Sequence, residues 1–389
     1  MRVAEAKLYA LRIPFVEEFR HSTQARTFSD SIVVELRATD GTVGYGEGVA
    51  RPYVTGETVE RCLSVMNHHL WPRVASHDFR EMVPDRDPLV SLAPIQECLG
   101  DEHDANALDP KVIAWHGARC AFELALIDLL LRQEGLSLAE LLPPKRDSVT
   151  YSGVITSSSQ DTVARIAKHL KMFGLTEIKV KIGTEQDRPR LEIVRELLGA
   201  DCSLRVDANG GLRADDALAT LEDLADLRID SAEQPIARGE ASELASLRAA
   251  SPIPIMVDES LVTLADAREL IGVGACDFFN LRISKCGGIY GTLKMAELAA
   301  NAGVQVQLGS QVGETAILSA AGRHVAAYLD HPKFVEGSFG TMLLAEDIAK
   351  ELIQFGRGGK GSLLKSPGLG ISVRVDVLNT FAHQIIHCL

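Results

Sequence analysis

Glu177-Ile178-Lys179-Val180-Lys181-Ile182-Gly183 and Ser203-Leu204-Arg205-Val206-Asp207-Ala208-Asn209 are apolar runs that end in charge. Glu233-Gln234-Pro235 and Ile255-Met256-Val257-Asp258-Glu259-Ser260 follow at the same pitch. The steps Lys181 to Asp207, to Glu233, to Asp258 are 26, 26 and 25 residues. One strand, one helix and two loops need about that length, so this is the pitch of a βα repeat. If the repeats close into a barrel, the charges converge at its C-terminal mouth, where (β/α) barrels do their chemistry. Three carboxylates facing two lysines there read as a divalent-metal site with a base beside it.

Outward from that stretch the alternation continues. Strands are expected at 149–155, 177–183, 203–209, 229–234, 254–259, 278–284, 304–309 and 334–338, with helices at 160–173, 186–199, 213–226, 240–249, 263–272, 288–302 and 314–329. Val/Ile/Leu-rich strands between amphipathic helices favour a closed parallel barrel over an open sheet. No GxGxxG opens a helix after the first strand, which weakens the doubly wound alternative. Upstream, 3–13, 31–37 and 43–47 alternate as strands, with Asp40-Gly41 as a hairpin turn. The segment 20–27 reads as a polar loop, 118–132 and 136–142 as helices, and 76–112 as an irregular connection. Past residue 340 the pattern gives a helix at 345–354, a Gly-rich loop at 356–361 and a strand at 371–377 returning to the N-terminal sheet.

The 389 residues exceed what one core usually serves, so two domains are expected. A formal net charge of −13 argues against nucleic acid or an anionic membrane as partner. The seven scattered cysteines contain no CxxC pair and read as reduced buried thiols. No apolar leader or membrane-length run is evident, so a cytoplasmic location is expected.

Strand parity puts Lys179 and Lys181 on one face, an arrangement that needs anions opposite. Crowding by a second cation lowers a lysine towards a useful base. Asp207, Glu233 and Asp258 are all oxygen donors, which suits Mg²⁺ or Mn²⁺ better than zinc. Taken singly, each acid could be a helix N-cap or a surface charge, the more common fate of a lone Asp; one-repeat spacing argues for the joint site. Asn209 shares the face of Asp207, and Glu259 points away from Asp258, so both are expected to support the ligands from behind.

The set Lys179-x-Lys181, Asp207-Ala208-Asn209, Glu233-Gln234-Pro235 and Asp258-Glu259-Ser260 resembles the enolase superfamily, and within it the muconate lactonizing enzyme (muconate cycloisomerase) group. The resemblance spans nearly the whole chain. It implies a modified (β/α)₇β TIM-type barrel with an α+β capping domain built from both termini. The divisions would be a cap at 1–145, a barrel at 146–340 and a segment at 341–389 returning to the cap. It further implies that Asp207, Glu233 and Asp258 hold Mg²⁺, that Lys181 moves an α-proton and that Lys179 lends a supporting charge. Such a proton is weakly acidic, so its removal needs a metal to stabilise the enolate.

One departure stands out. Where the group places a second lysine base, Phe278-Phe279-Asn280-Leu281-Arg282-Ile283-Ser284-Lys285-Cys286 has Arg282, a poor base and a good fixed cation. Lys285 is the other candidate. The seventh strand has Gln305 and Gln307 but no histidine, unlike the mandelate racemase and acid-sugar dehydratase groups. Glu314 and Glu336, which close the seventh and eighth strands, are candidates to hydrogen-bond a substrate or hold its amino group, and Arg20, His21, Arg26 and Tyr53, in the loops 19–29 and 51–56, are candidates to close over substrate. The expectation is an Mg²⁺-dependent enzyme on a small carboxylate, by cycloisomerisation or one-base elimination through Lys181. An amino-acid or dipeptide racemase or epimerase using Lys181 and Lys285 is the alternative, and a non-catalytic metal- or ligand-binding barrel is the alternative of another class. Oligomeric state is left open, a homo-oligomer included.

Overall fold

The structure is a computed structural model describing residues 1–20, 25–79, 82–100, 109, 111–156 and 159–388. Its N-terminal part is an antiparallel sheet in the order Ala382–Cys388, Val3–Leu11, Ser31–Ala38, Val43–Val49. The expected hairpin turns at Asp40-Gly41, where Gly41 takes φ 91° and Thr42 N donates to Asp40 Oδ1 at 2.9 Å. The long helix His116–Gln133 lies across the sheet and is buried along almost its whole length.

Three sequence expectations for this part need correcting. The returning strand is Ala382–Cys388, pairing Leu8 with Ile386, rather than 371–377. The segment 345–354 is not helical, because its polar groups are committed elsewhere. Asp347 accepts from Ala316 N at 3.0 Å, capping the Ala316–Tyr328 helix, and Lys350 N donates to Ser372 O at 2.9 Å. The expected loop at 20–27 is also narrower, since Ile13–Arg20 and Ala25–Ser29 pair as a two-stranded ribbon; residues 21–24 lie outside the described ones.

The barrel takes its strands strictly in chain order: Gly153–Ile155, Glu177–Lys181, Ser203–Asp207, Ser231–Glu233, Ile255–Val257, Phe278–Arg282, Gln305–Gly309 and Phe334–Val335. All neighbouring pairs are parallel, and Ser152 N donates to Val335 O at 2.8 Å across the remaining seam. The expected first strand divides in two. Ser148–Thr150 pairs with Lys360–Ser362 outside the barrel, and only Gly153–Ile155 enters it. The seven intervening helices fall within a few residues of their expected spans, from Gln160–Phe173 to Ala316–Tyr328. Register turns the repeat into a site: Lys181 lies opposite Asp207, and Asp207 opposite Glu233. No helix among the described residues is long and apolar enough to cross a membrane.

Candidate active site

The charged residues that end the strands meet inside the barrel mouth. Lys179 Nζ lies 2.7 Å from Glu336 Oε2, 3.1 Å from Glu233 Oε2 and 3.3 Å from Asp207 Oδ2. Burial alone would lower that lysine, but Glu233, Glu336 and Asp207 outweigh it and hold Lys179 well above its ordinary value. Crowding by Lys181 therefore does not make Lys179 a base; it is a fixed cation. Lys181, two residues on, lines the cavity at the mouth. Its Nζ is 2.7 Å from Asp207 Oδ2 and also donates to Asn209 Oδ1.

Asp207, Glu233 and Asp258 are buried on consecutive strands. Burial works against ionisation of Asp207, yet Lys181 and Lys179 hold it well below the carboxylate range. Glu233 goes the other way: burial and the neighbouring Asp207 raise it despite Lys179. Arg282 Nη2 donates to Asp258 Oδ2 and lies 3.5 Å from Glu233 Oε1. With cations between the acids, no trio of Asp, Glu, His or Cys among the described residues gathers around one point. The donors nonetheless fit a hard divalent cation: three carboxylates from adjacent strands at one mouth, with no sulfur or imidazole. Asp207, Glu233 and Asp258 would have to give up bonds to Lys181 and Arg282 to hold such an ion.

Arg282 and Lys285 are placed very differently. Arg282 lines the cavity, held protonated by Asp258 and Glu233 although burial opposes it. Lys285 is fully buried, and its ammonium donates to Asp258 O (2.8 Å), Asp258 Oδ1 (2.7 Å) and Asn280 O (2.8 Å). Those contacts use all three of its protons.

Around this centre, Asn209 Nδ2 donates to Glu259 Oε1 at 3.1 Å, and burial beside Asp258 pushes Glu259 up to about 7. Glu314 and Tyr53 line the cavity, and Glu314 Oε1 accepts from Gln311 N at 2.6 Å. Burial pushes Glu314 up to about 8 against that bond. Glu336 is engaged by Lys179 and by Arg205 Nη1 at 3.0 Å. Arg26 is committed to Asp30 at 2.7 Å rather than to the cavity. The side chain of Arg20 and all of His21 lie outside the described residues.

Sequence reasoning passed over Arg205, Gln234 and Gln311. Strand parity pointed to Arg205, two residues before Asp207 and so on the same face. Gln234 had no such signal: it sits at φ 38°, and its Oε1 accepts from Asp258 N (2.9 Å) and Ser260 N (3.1 Å). It thereby fixes the turn that presents Asp258.

An eight-stranded parallel barrel capped by an antiparallel sheet, with lysines and acids at its strand ends, defines a class of enzyme. The model for the Enolase C-terminal domain-like family matches residues 161–377, and the chain belongs to the enolase superfamily. It is 30% identical to the N-succinyl-L-Arg/Lys racemase of Bacillus cereus, covering 97% of each chain. The crystal structure of that racemase superposes with a TM-score of 0.87 over 100% of both chains. A dipeptide epimerase from Cytophaga hutchinsonii, complexed with Mg and the dipeptide D-Ala-L-Val, gives 0.85 at 27% identity and full coverage of both. Muconate cycloisomerase 1 of Pseudomonas putida is 30% identical over 94% of this chain and 92% of its own. The chain is thus similar to isomerases of more than one kind.

Proposed function

We propose that this chain is an isomerase that moves the α-proton of an N-acylated amino acid or a dipeptide, with Lys181 as the acid–base group. The observation that carries this is the position of Lys181: its amine lines the cavity while bonded to Asp207, one of three acids at the mouth. The racemase and epimerase relatives support the substrate class. Asp207, Glu233 and Asp258 would hold Mg²⁺, with Mn²⁺ as an alternative. When bound, that ion stabilises the negative charge developing on the substrate carboxylate.

The chain's own residues do the rest. Lys181 Nζ, as the free amine, takes the proton as the Cα–H bond breaks, and the electron pair moves into the carboxylate to give an enolate. Asp207 and Asn209 orient the amine, and Lys179 stays a cation throughout. Inversion requires a proton delivered on the opposite face. The sixth strand stands across the barrel from the second, and there Arg282 faces the cavity while Lys285 is tied to Asp258 and Asn280. That observation favours a second reading, one-base cycloisomerisation or elimination, in which Arg282 serves only as a fixed cation. On either reading 146–340 is the catalytic barrel, with 1–145 and 341–389 as its cap.

Incubating the Mg²⁺-supplemented protein in D₂O with each antipode of N-succinyl-lysine, and with a panel of dipeptides and unsaturated carboxylates, tests both readings. An epimerase drives both antipodes to one mixture with deuterium at Cα. One-base chemistry exchanges a single antipode with retention, or makes a new product. Lys181→Ala is expected to lower the exchange rate by roughly 10³-fold, and chelation to abolish exchange until Mg²⁺ is restored. Unchanged exchange in Lys181→Ala would overturn the assignment of the base. A wild type that binds ligand yet never exchanges would be a binding protein.

A further inference from the structure

Gln311 sits on the loop after the seventh strand and lines the cavity, yet it is only 2% exposed. Among the described residues, neither its Oε1 nor its Nε2 has a hydrogen-bond partner. Leaving a buried carboxamide unpaired is costly, so such a group is held for something that enters the cavity.

The loop gives Gln311 little freedom to turn away. Arg51 Nη2 donates to Val312 O at 2.5 Å, and Ser29 Oγ donates to Gly313 O at 2.5 Å. Glu47 Oε1 accepts from Thr315 N at 2.9 Å, and Glu314 closes the turn onto Gln311 N. Gly313 adopts φ 89°, and a Cβ there would press on Phe15 and Ser29 at 3.2 Å. Residues of the cap thus hold the Gln311 loop from outside, which pre-organises the carboxamide.

We propose that Gln311 recognises the amide of the substrate, the acyl or peptide linkage beside the reacting carbon. This rests on the proton-transfer reading for its chemical setting but is read out by binding. A carboxamide offers one donor group and one acceptor whichever way it is turned. A trans amide presents its carbonyl and its N–H on opposite edges, so Gln311 takes one edge: the carbonyl on Nε2, or the N–H on Oε1. A second carboxylate is the poorer match. Among the described residues the cations at the cavity wall are spent on acids, Arg51 on Asp30, Lys179 on Glu336, Lys181 on Asp207 and Arg282 on Asp258. A neutral amide asks for no counter-charge.

The experiment is calorimetric titration, in Mg²⁺, of three probes: N-acetyl-L-leucine, its ester isostere 2-acetoxy-4-methylpentanoate, and 4-methylpentanoate, which lacks the acyl limb. Wild type is expected to favour N-acetyl-L-leucine over 4-methylpentanoate. In Gln311→Met that preference falls about 10-fold or more, while 4-methylpentanoate binding stays within about twofold. The ester behaves as the amide if the carbonyl edge is read, and as 4-methylpentanoate if the N–H edge is read. Gln311→Ala, which keeps the backbone bonds of the loop, is read in the same way and guards against misfolding of the first variant. The proposal is overturned if either folded variant weakens all probes equally or none, or if wild type does not distinguish the amide. Preserved amide preference without deuterium exchange would sink the proton-transfer reading and leave this one standing.

Discussion

On the proposed proton-transfer reading, Arg282 is the residue on which the stereochemistry would turn. A guanidinium held by Asp258 and Glu233 does not give up its proton at neutral pH, so the face it occupies has a cation where a base would be needed. Arg282→Lys places a titratable amine on the same strand end. The expected outcome is a gain in inversion relative to exchange with retention, measured as the ratio of antipode formation to α-deuteration. An unchanged ratio would mean that the opposite face is served by another group. Arginine in place of lysine was plain in the sequence. Which of Arg282 and Lys285 faces the cavity was not, because they lie three residues apart where the strand ends and parity stops applying. Burial and the three hydrogen bonds that Lys285 donates decide it.

Among elements, the pairing of the Val43–Val49 strand with the His116–Gln133 helix sets how the cap is built. Gly46 lets the two backbones touch: a Cβ there would stand 2.0 Å from Ala121 O and 2.3 Å from Ala125 N. Gly46→Ala should therefore force strand and helix apart and cost about 3 kcal/mol or more. The check is urea unfolding, and a loss below about 0.5 kcal/mol would show that the contact relaxes freely. The same strand carries Glu47, which reaches Thr315 N and Leu318 N at 2.9 and 3.0 Å at the start of a barrel helix. The strand periodicity was legible in the sequence. The reason for its glycines lay in a helix some 70 residues away, which no local pattern reports.

For the whole molecule, the acid limit of stability carries a mark from His324, buried on the Ala316–Tyr328 helix. Burial lowers it to about 4, and its ring nitrogen faces Leu369 O at 3.3 Å. An unfolded histidine titrates near 6.5, so below that pH the unfolded chain takes up the proton first. The neutral ring's contribution is fully present above about 6.5 and is lost as pH falls towards about 4, a change on the order of 3 kcal/mol. His324→Asn should flatten the wild-type loss over that window in urea unfolding at stepped pH. Parallel curves would place the protonation elsewhere.

What the sequence by itself determined was the repeat and its charges. A βα unit of constant length, ending in Lys181, Asp207, Glu233 and Asp258, puts those residues at one barrel end, since strand parity and pitch are local properties of the chain. What only the tertiary structure decided was which group meets which. Closure lays the sixth strand opposite the second, and the 382–388 strand is claimed by Val3–Leu11 rather than by its own neighbours. The 345–354 segment lost its helix because Asp347 and Lys350 found partners outside it. Hydrogen-bond partners distant in the chain outbid local propensity, and such competition is resolved only when the pieces pack.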